Sequence, residues 1–185
     1  MTLKNFNQSA FCACLLCAAM PTLADAEKLG FKGIELGSSL ALVASNPKFV
    51  CHLASTPIAD KVCSLRVLEK ETIAGAPIDS LFYFYDQTSL TGIVVNLGEK
   101  HFQPVVAALT EKFGAPSLKT ETVKSLKGTA FENRIYRWSQ QTGSLQAERY
   151  AGRLDKSTIR FTDDSAAQRI QHRRALLAKD PRKDL

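Results

Sequence analysis

Residues 79–114 read DSLFYFYDQTSLTGIVVNLGEKHFQPVVAALTEKFG, and this stretch decides the fold class. Its first part alternates with period two. Over Asp79–Asp86, Phe82 and Phe84 share one face of a strand while Leu81, Tyr83 and Tyr85 share the other. Gln87-Thr88-Ser89 closes a hairpin into a second strand, Leu90–Leu97, where Ile93, Val95 and Leu97 point one way. Such aromatic and β-branched pairs fit a pleated surface. The period then lengthens. Phe102, Val105, Val106, Leu109 and Phe113 fall at i, i+3, i+4, i+7 and i+11, which is one apolar stripe on a helix over His101–Phe113. Pro104 suits the first turn, where it forfeits no helical hydrogen bond. Gly114 is the expected left-handed C-cap residue, with Pro116 just beyond. The helix is expected to lie on a sheet with Lys100, Glu111 and Lys112 in water.

The pattern continues on both sides. Upstream, Ser38 or Ser39 is a candidate N-cap for a short helix over 39–46 that Asn46-Pro47 ends. A strand from Phe49 to Leu53 carries Cys51; in the next, 62–67, Cys63, Leu65 and Val67 share a face. Gly75-Ala76-Pro77 reads as a turn. Downstream, strands are expected near 118–126, 131–140, 144–151 and 157–163, the middle two joined tightly by Gln141-Thr142-Gly143. Tyr136 and Trp138 share a face of one strand, Tyr150 lies in the next, and Ile159 and Phe161 share a face of the last. Ser165 and Gln168 have capping-box spacing, which predicts a helix over 166–178 with a thin stripe of Ala166, Ile170 and Leu177 and with Arg173 between them. A frayed basic tail, 179–185, follows.

Helices separated by runs of strands predict an α+β domain, with helices packed on an antiparallel sheet rather than a wound parallel one. Leu36-Gly37 and Leu97-Gly98, 61 residues apart, each precede a helix and several strands. That makes a tandem duplicated helix-then-strands unit, with halves 27–97 and 98–164, an expectation for the single domain 27–178.

The first 26 residues read as an address. A short polar start with Lys4, an apolar run from Phe11 to Met20, Pro21 and then Ala24-Asp25-Ala26 make a secretory signal peptide. Cleavage is expected after Ala26, and a periplasmic or secreted location follows. Leu16 before Cys17 and the short apolar lead to Cys14 fit lipidation poorly. Removing the leader leaves Cys51 and Cys63 with eleven residues between them. An even cysteine count in an exported chain predicts a disulfide. The alternatives are a reactive thiol or a metal site, but two cysteines and the adjacent His52 lack zinc-ligand spacing.

Charge is lopsided. Glu27–Glu99 holds 6 Lys and Arg against 8 Asp and Glu, whereas Lys100–Leu185 holds 17 against 9. A basic half attracts nucleic acid, acidic lipid or an acidic protein, or simply keeps the surface solvated. Export argues against nucleic acid. No apolar run approaches the roughly 18 residues of a transmembrane helix, and 45% apolar residues in 185 suit one globular domain.

Gly37-Ser38-Ser39, a short helix, Cys51 on the next strand and Cys63 on the one after resemble the opening unit of β-lactamase inhibitory proteins. The same unit without cysteines resembles the small outer-membrane assembly lipoprotein BamE. Both groups typically have Gly-Met-Thr where this chain has Gly-Ser-Ser. The resemblance implies a helix-on-sheet domain that binds another protein through an exposed sheet face or loops. It carries no inhibitory loop and no binding residue over to this chain.

No phosphate-cradling glycine loop, Gly-x-Ser-x-Gly or His-Glu-x-x-His is present. His52, His101 and His172 have no nucleophile beside them in sequence, and Asp163-Asp164 reads as a helix start. The expectation is a non-catalytic protein-binding or inhibitory module with no cofactor and no metal. Its partner would be a protein with an acidic surface. The candidate contact residues are Tyr136, Trp138, Tyr150, Arg137 and Arg149, with Tyr83, Tyr85, Arg134 and Arg153 beside them, since Tyr, Trp and Arg are enriched in binding hot spots. The competing reading packs Tyr136 and Trp138 under a helix. Two other functions stay open: a carrier of small ligands in a cleft between helix and sheet, and an enzyme of unrecognised type.

Overall fold

The computed structural model describes residues 28–178. The leader expected over 1–26 and the tail expected over 179–185 therefore lie outside the described residues. A small hairpin comes first, β1 (Gly30–Phe31) and β2 (Ile34–Glu35), turned at Lys32 and Gly33, both at positive φ. Then follow α1 (Ala41–Ala44), β3 (Phe49–Thr56), β4 (Ala59–Leu65), β5 (Thr72–Ile73), β6 (Ala76–Asp86) and β7 (Ser89–Gly98). A 3-10 turn, Glu99–His101, leads into α2 (Phe102–Phe113), β8 (Ser117–Lys124), β9 (Ala130–Gln140), β10 (Gly143–Glu148), β11 (Lys156–Thr162) and α3 (Ala166–Ala178).

The main sheet runs β3-β4-β6-β7-β11-β10-β9-β8, and every pair is antiparallel, with short β5 on β6. Two meanders thus meet at the β7–β11 pair, where Val95 faces Ile159. The antiparallel α+β expectation is met.

One face of the sheet makes the core. Leu81, Tyr83, Tyr85, Ile93, Val95, Leu97, Trp138, Leu145, Ala147, Ile159 and Phe161 are buried together with Val43 of α1, Phe102, Val105, Val106 and Leu109 of α2, and Leu29 and Phe31. Period two puts these strand residues on one side, and the 3.6-residue period of α2 aims its stripe at them. Burial pushes the Tyr85 phenol up to about 12 and raises Tyr83 further.

Several local readings differ. The helix expected over 39–46 is a single turn, Ala41–Ala44, with Leu40 rather than a serine at its N-cap. Long-range bonds pin the preceding chain: Gly37 N–H donates to Leu90 O, Leu40 N–H to Thr88 O, and Ser39 bridges Ser89. The turn expected at Gly75-Ala76-Pro77 centres on Ala74 and Gly75, both at positive φ, and Pro77 already belongs to β6. Val67 lies past the end of β4 and is fully exposed. Gly114 does end α2 at positive φ, but its ψ of −169° is not the left-handed helical cap. The Ser165 N–H goes to Asp163 Oδ1 at 3.0 Å, so Asp163 rather than Gln168 satisfies it. Gly37 sits at φ 85° whereas Gly98 is extended at φ −66°, so these two Leu-Gly pairs are not conformationally equivalent.

Candidate functional site

Cys51 and Cys63 stand directly opposite each other on β3 and β4, and their sulfurs are bonded at 2.03 Å. Cys63 is fully buried on the core face, so the bridge ties the outer strand β3 to the packed part of the sheet.

The five sequence-derived contact residues do not form one surface. Trp138 is buried beneath the end of α2, and its indole N–H donates to Gly114 O at 2.7 Å. Tyr136 is half-buried between Phe102 and Trp138, with ring centroids 6.0 and 6.4 Å away. Tyr83 and Tyr85 are buried too. Arg137 is next in sequence to both Tyr136 and Trp138 and therefore points through the opposite face. There its Nη2 meets Ser144 Oγ at 3.0 Å and Asp164 Oδ2 at 3.4 Å. Arg149 Nε donates to Glu99 Oε1 at 2.6 Å, and its guanidinium lies 4.7 Å from the Tyr150 ring centroid. Tyr150 lies beyond the end of β10, not within it. Arg134 and Arg153 pair with Glu132 and Asp155.

Sequence reasoning missed the second face of the sheet as a unit. Cα partners line up across the strands as Val50, Ser64, Phe82, Val94, Arg160, Gln146 and Arg137, each directly opposite the next. Opposed residues share a face, so these seven side chains form one row. A neighbouring row holds Val62 and Phe84. The centre of the β4–β7 half of this face is apolar, with Phe82 and Phe84 rings 6.5 Å apart and half-buried. The β11–β9 half is basic and polar. Arg160 is exposed and has no carboxylate partner among the described residues. Toward one strand end, Asn96 Nδ2 donates to Ser80 Oγ at 2.8 Å and Thr158 Oγ1 to Asn96 Oδ1 at 2.7 Å, which holds the surface in one arrangement. Helix α3, with Ala166 and Ile170 buried, meets the other end, where Arg173 reaches Asp86 and Asp60. The alternation around Ile159 and Phe161 was a signal that Arg160 faces away from the core. The register that sets it beside Val94 is a long-range fact.

At the β8–β9 end this face opens into a cleft of about 770 Å³. Val123, Leu126, Tyr150 and Leu154 supply its apolar lining; Lys124, Lys127 and Arg153 supply cations, and Glu121, Glu148 and Asp155 anions. Buried Asn133 forms part of its floor, held by Glu148 Oε1 and by the Tyr150 N–H. This cleft lies between a hairpin and a loop, not between helix and sheet.

His52 is on β3, His101 at the start of α2 and His172 on α3, so the fold does not gather them. Asp163 accepts from Ser165 and Arg169 at the head of α3; burial opposes the shift, but these donors hold its carboxyl below the usual range. Among the described residues no three His, Cys, Asp or Glu side chains are grouped to hold a metal, and no helix is long and apolar enough to cross a membrane. No protein-family model, curated protein or solved structure matches this chain.

Proposed function

We propose that this is an exported, non-catalytic protein-binding or inhibitory module that grips an acidic partner surface on the second face of its sheet. The observation that carries this reading is the row Phe82–Val94–Arg160–Gln146–Arg137, where half-buried apolar side chains adjoin an arginine that has no carboxylate partner among the described residues. A rigid sheet presents these groups at little entropic cost, and an apolar centre with an Arg anchor is the composition of a binding hot spot. The Cys51–Cys63 bridge supports export through a leader ending at Ala26, because such bridges persist in oxidising compartments. The repeated order of one helix and a meander supports a tandem duplication. The role agrees with that implied by the resemblance to β-lactamase inhibitory proteins and BamE.

The test is capture of partners from periplasmic extract at low and high salt by wild type, Arg160→Glu and the α2 surface control Glu111→Gln. A partner held by wild type and the control, lost on Arg160→Glu and weakened by salt, supports the reading. Capture indifferent to Arg160 overturns it. The 770 Å³ cleft favours a second reading, a small-ligand carrier. A ligand retained by the purified protein, and displaced by Tyr150→Ala without effect from Arg160→Glu, would establish that reading instead.

A further inference from the structure

The two outer strands of the sheet are not alike. Strand β3 has a register shift between Leu53 and Thr56, an irregularity that blunts an edge. Strand β8 pairs with β9 over eight unbroken positions, from Ser117↔Arg137 to Lys124↔Ala130. Nearly all of β8 is exposed, it contains no proline, and among the described residues it has no neighbour on its other side.

Which backbone groups of β8 are free follows from its hairpin. Ser125 N–H donates to Thr129 O at 2.9 Å. Alternation then directs the N–H and C=O groups of Val123, Glu121, Lys119 and Ser117 toward β9. Those of Leu118, Thr120, Thr122 and Lys124 point away from the sheet, an unused ladder.

A second copy can meet this ladder in antiparallel fashion about a twofold axis normal to the sheet. With the axis at Thr120, Thr120 faces its counterpart and Leu118 faces Thr122, so outward groups meet outward groups. Lys119 of each copy then faces Glu121 of the other, twice, in the close non-hydrogen-bonded positions. Moving the axis one residue toward either end sets Lys119 against Lys119, or Glu121 against Glu121. In the single chain these two side chains pair with each other along the strand, Nζ to Oε1 at 2.5 Å, and both are substantially exposed. Exchange between copies therefore uncovers no buried charge.

From this we infer that β8 is a self-association edge: two copies join β8 to β8 in the Thr120-centred register and extend the sheet with both binding faces on one side. The inference is independent of what that face binds.

Sedimentation velocity on the purified protein, from micromolar to near-millimolar concentration, tests it. Wild type should double in mass with rising concentration. Lys119→Glu and Glu121→Lys should each sediment as monomer where wild type is dimeric, because each sets like charges opposite one another. An equimolar mixture of these two variants should dimerise again, since every facing pair becomes opposite in sign. Thr120→Pro removes only an outward N–H and should also give monomer. Unchanged far-ultraviolet circular dichroism of each variant excludes unfolding as the cause. A wild type that stays monomeric throughout, single reversals that still dimerise, or a mixture that fails to recombine would each overturn the assignment.

Discussion

Strands β3–β7 and strands β8–β11 are joined in one sheet, yet their two halves are held to the core by different means. In the second half α2 lays Phe102, Val105, Val106 and Leu109 on the sheet. Burial of each such side chain contributes about 1.5–3 kcal/mol. In the first half α1 is one turn long and buries only Val43. That half is tied instead by the Cys51–Cys63 bridge and by Glu71, whose carboxylate accepts from Lys32 and, at 3.2 Å, from Lys48. Closing a loop of this size contributes about 3 kcal/mol in the chain-entropy picture. A covalent tie and a charged clasp do on one side what a helix face does on the other.

The sharpest way to break this comparison is to attack the two roofs. Phe102→Ala should cost about 3–5 kcal/mol, the range for truncating a buried aromatic. Val43→Ala should cost about 2 kcal/mol, from its lost methyl groups and the small cavity left. Urea denaturation of both variants measures the difference, and equal losses would refute the asymmetry of cover.

Removing the bridge comes next. The double substitution Cys51→Ala, Cys63→Ala should cost about 3 kcal/mol in global stability. Amide hydrogen exchange should show protection falling most in β3 and β4 and least in β9 and β10. An even loss across the sheet would mean that the staple is not local to its half.

The clasp should give the smallest effect. Hydrogen bonding from Lys32 holds the Glu71 carboxyl below its ordinary 4.5; burial opposes this and Lys48 adds to it. A carboxyl lowered in the folded state binds its proton more readily when unfolded. Its stabilisation is therefore present in full above pH 4.5 and is lost as pH falls through the lowered folded value. Glu71→Gln should cost up to about 1 kcal/mol at neutral pH, since the pair is partly exposed. The variant's stability should approach that of wild type in acid. A gap between the two that widens on acidification would contradict this sign.

How much was legible follows from the reach of each signal. The stripe of α2, the alternation of β6 and β7 and the extent of α3 were readable because each is a periodic pattern within one segment. The disulfide was readable from the two cysteines that follow the expected leader. Helix 39–46 was misjudged because Ser39 and Leu40 are bonded to Ser89 and Thr88, a preference no local rule contains. Tyr136 and Trp138 lie on one face and Arg137 on the other; which of these faces is covered escaped the sequence for a related reason. Parity shows that Arg137 opposes the two aromatics, but not which side α2 will cover. Gly37 and Gly98 carry the same letter after leucine and adopt opposite signs of φ.

Residue order alone was enough to place α2, α3 and the long strands and to say which of their side chains share a face, because these follow from backbone period within one segment. It took the folded molecule to show that two meanders join at β7 and β11, that α1 and α2 pack on the face opposite Arg160, and that β8 has no outer neighbour among the described residues. Each of those depends on register between strands far apart in the chain. Such register is set by packing the whole core at once.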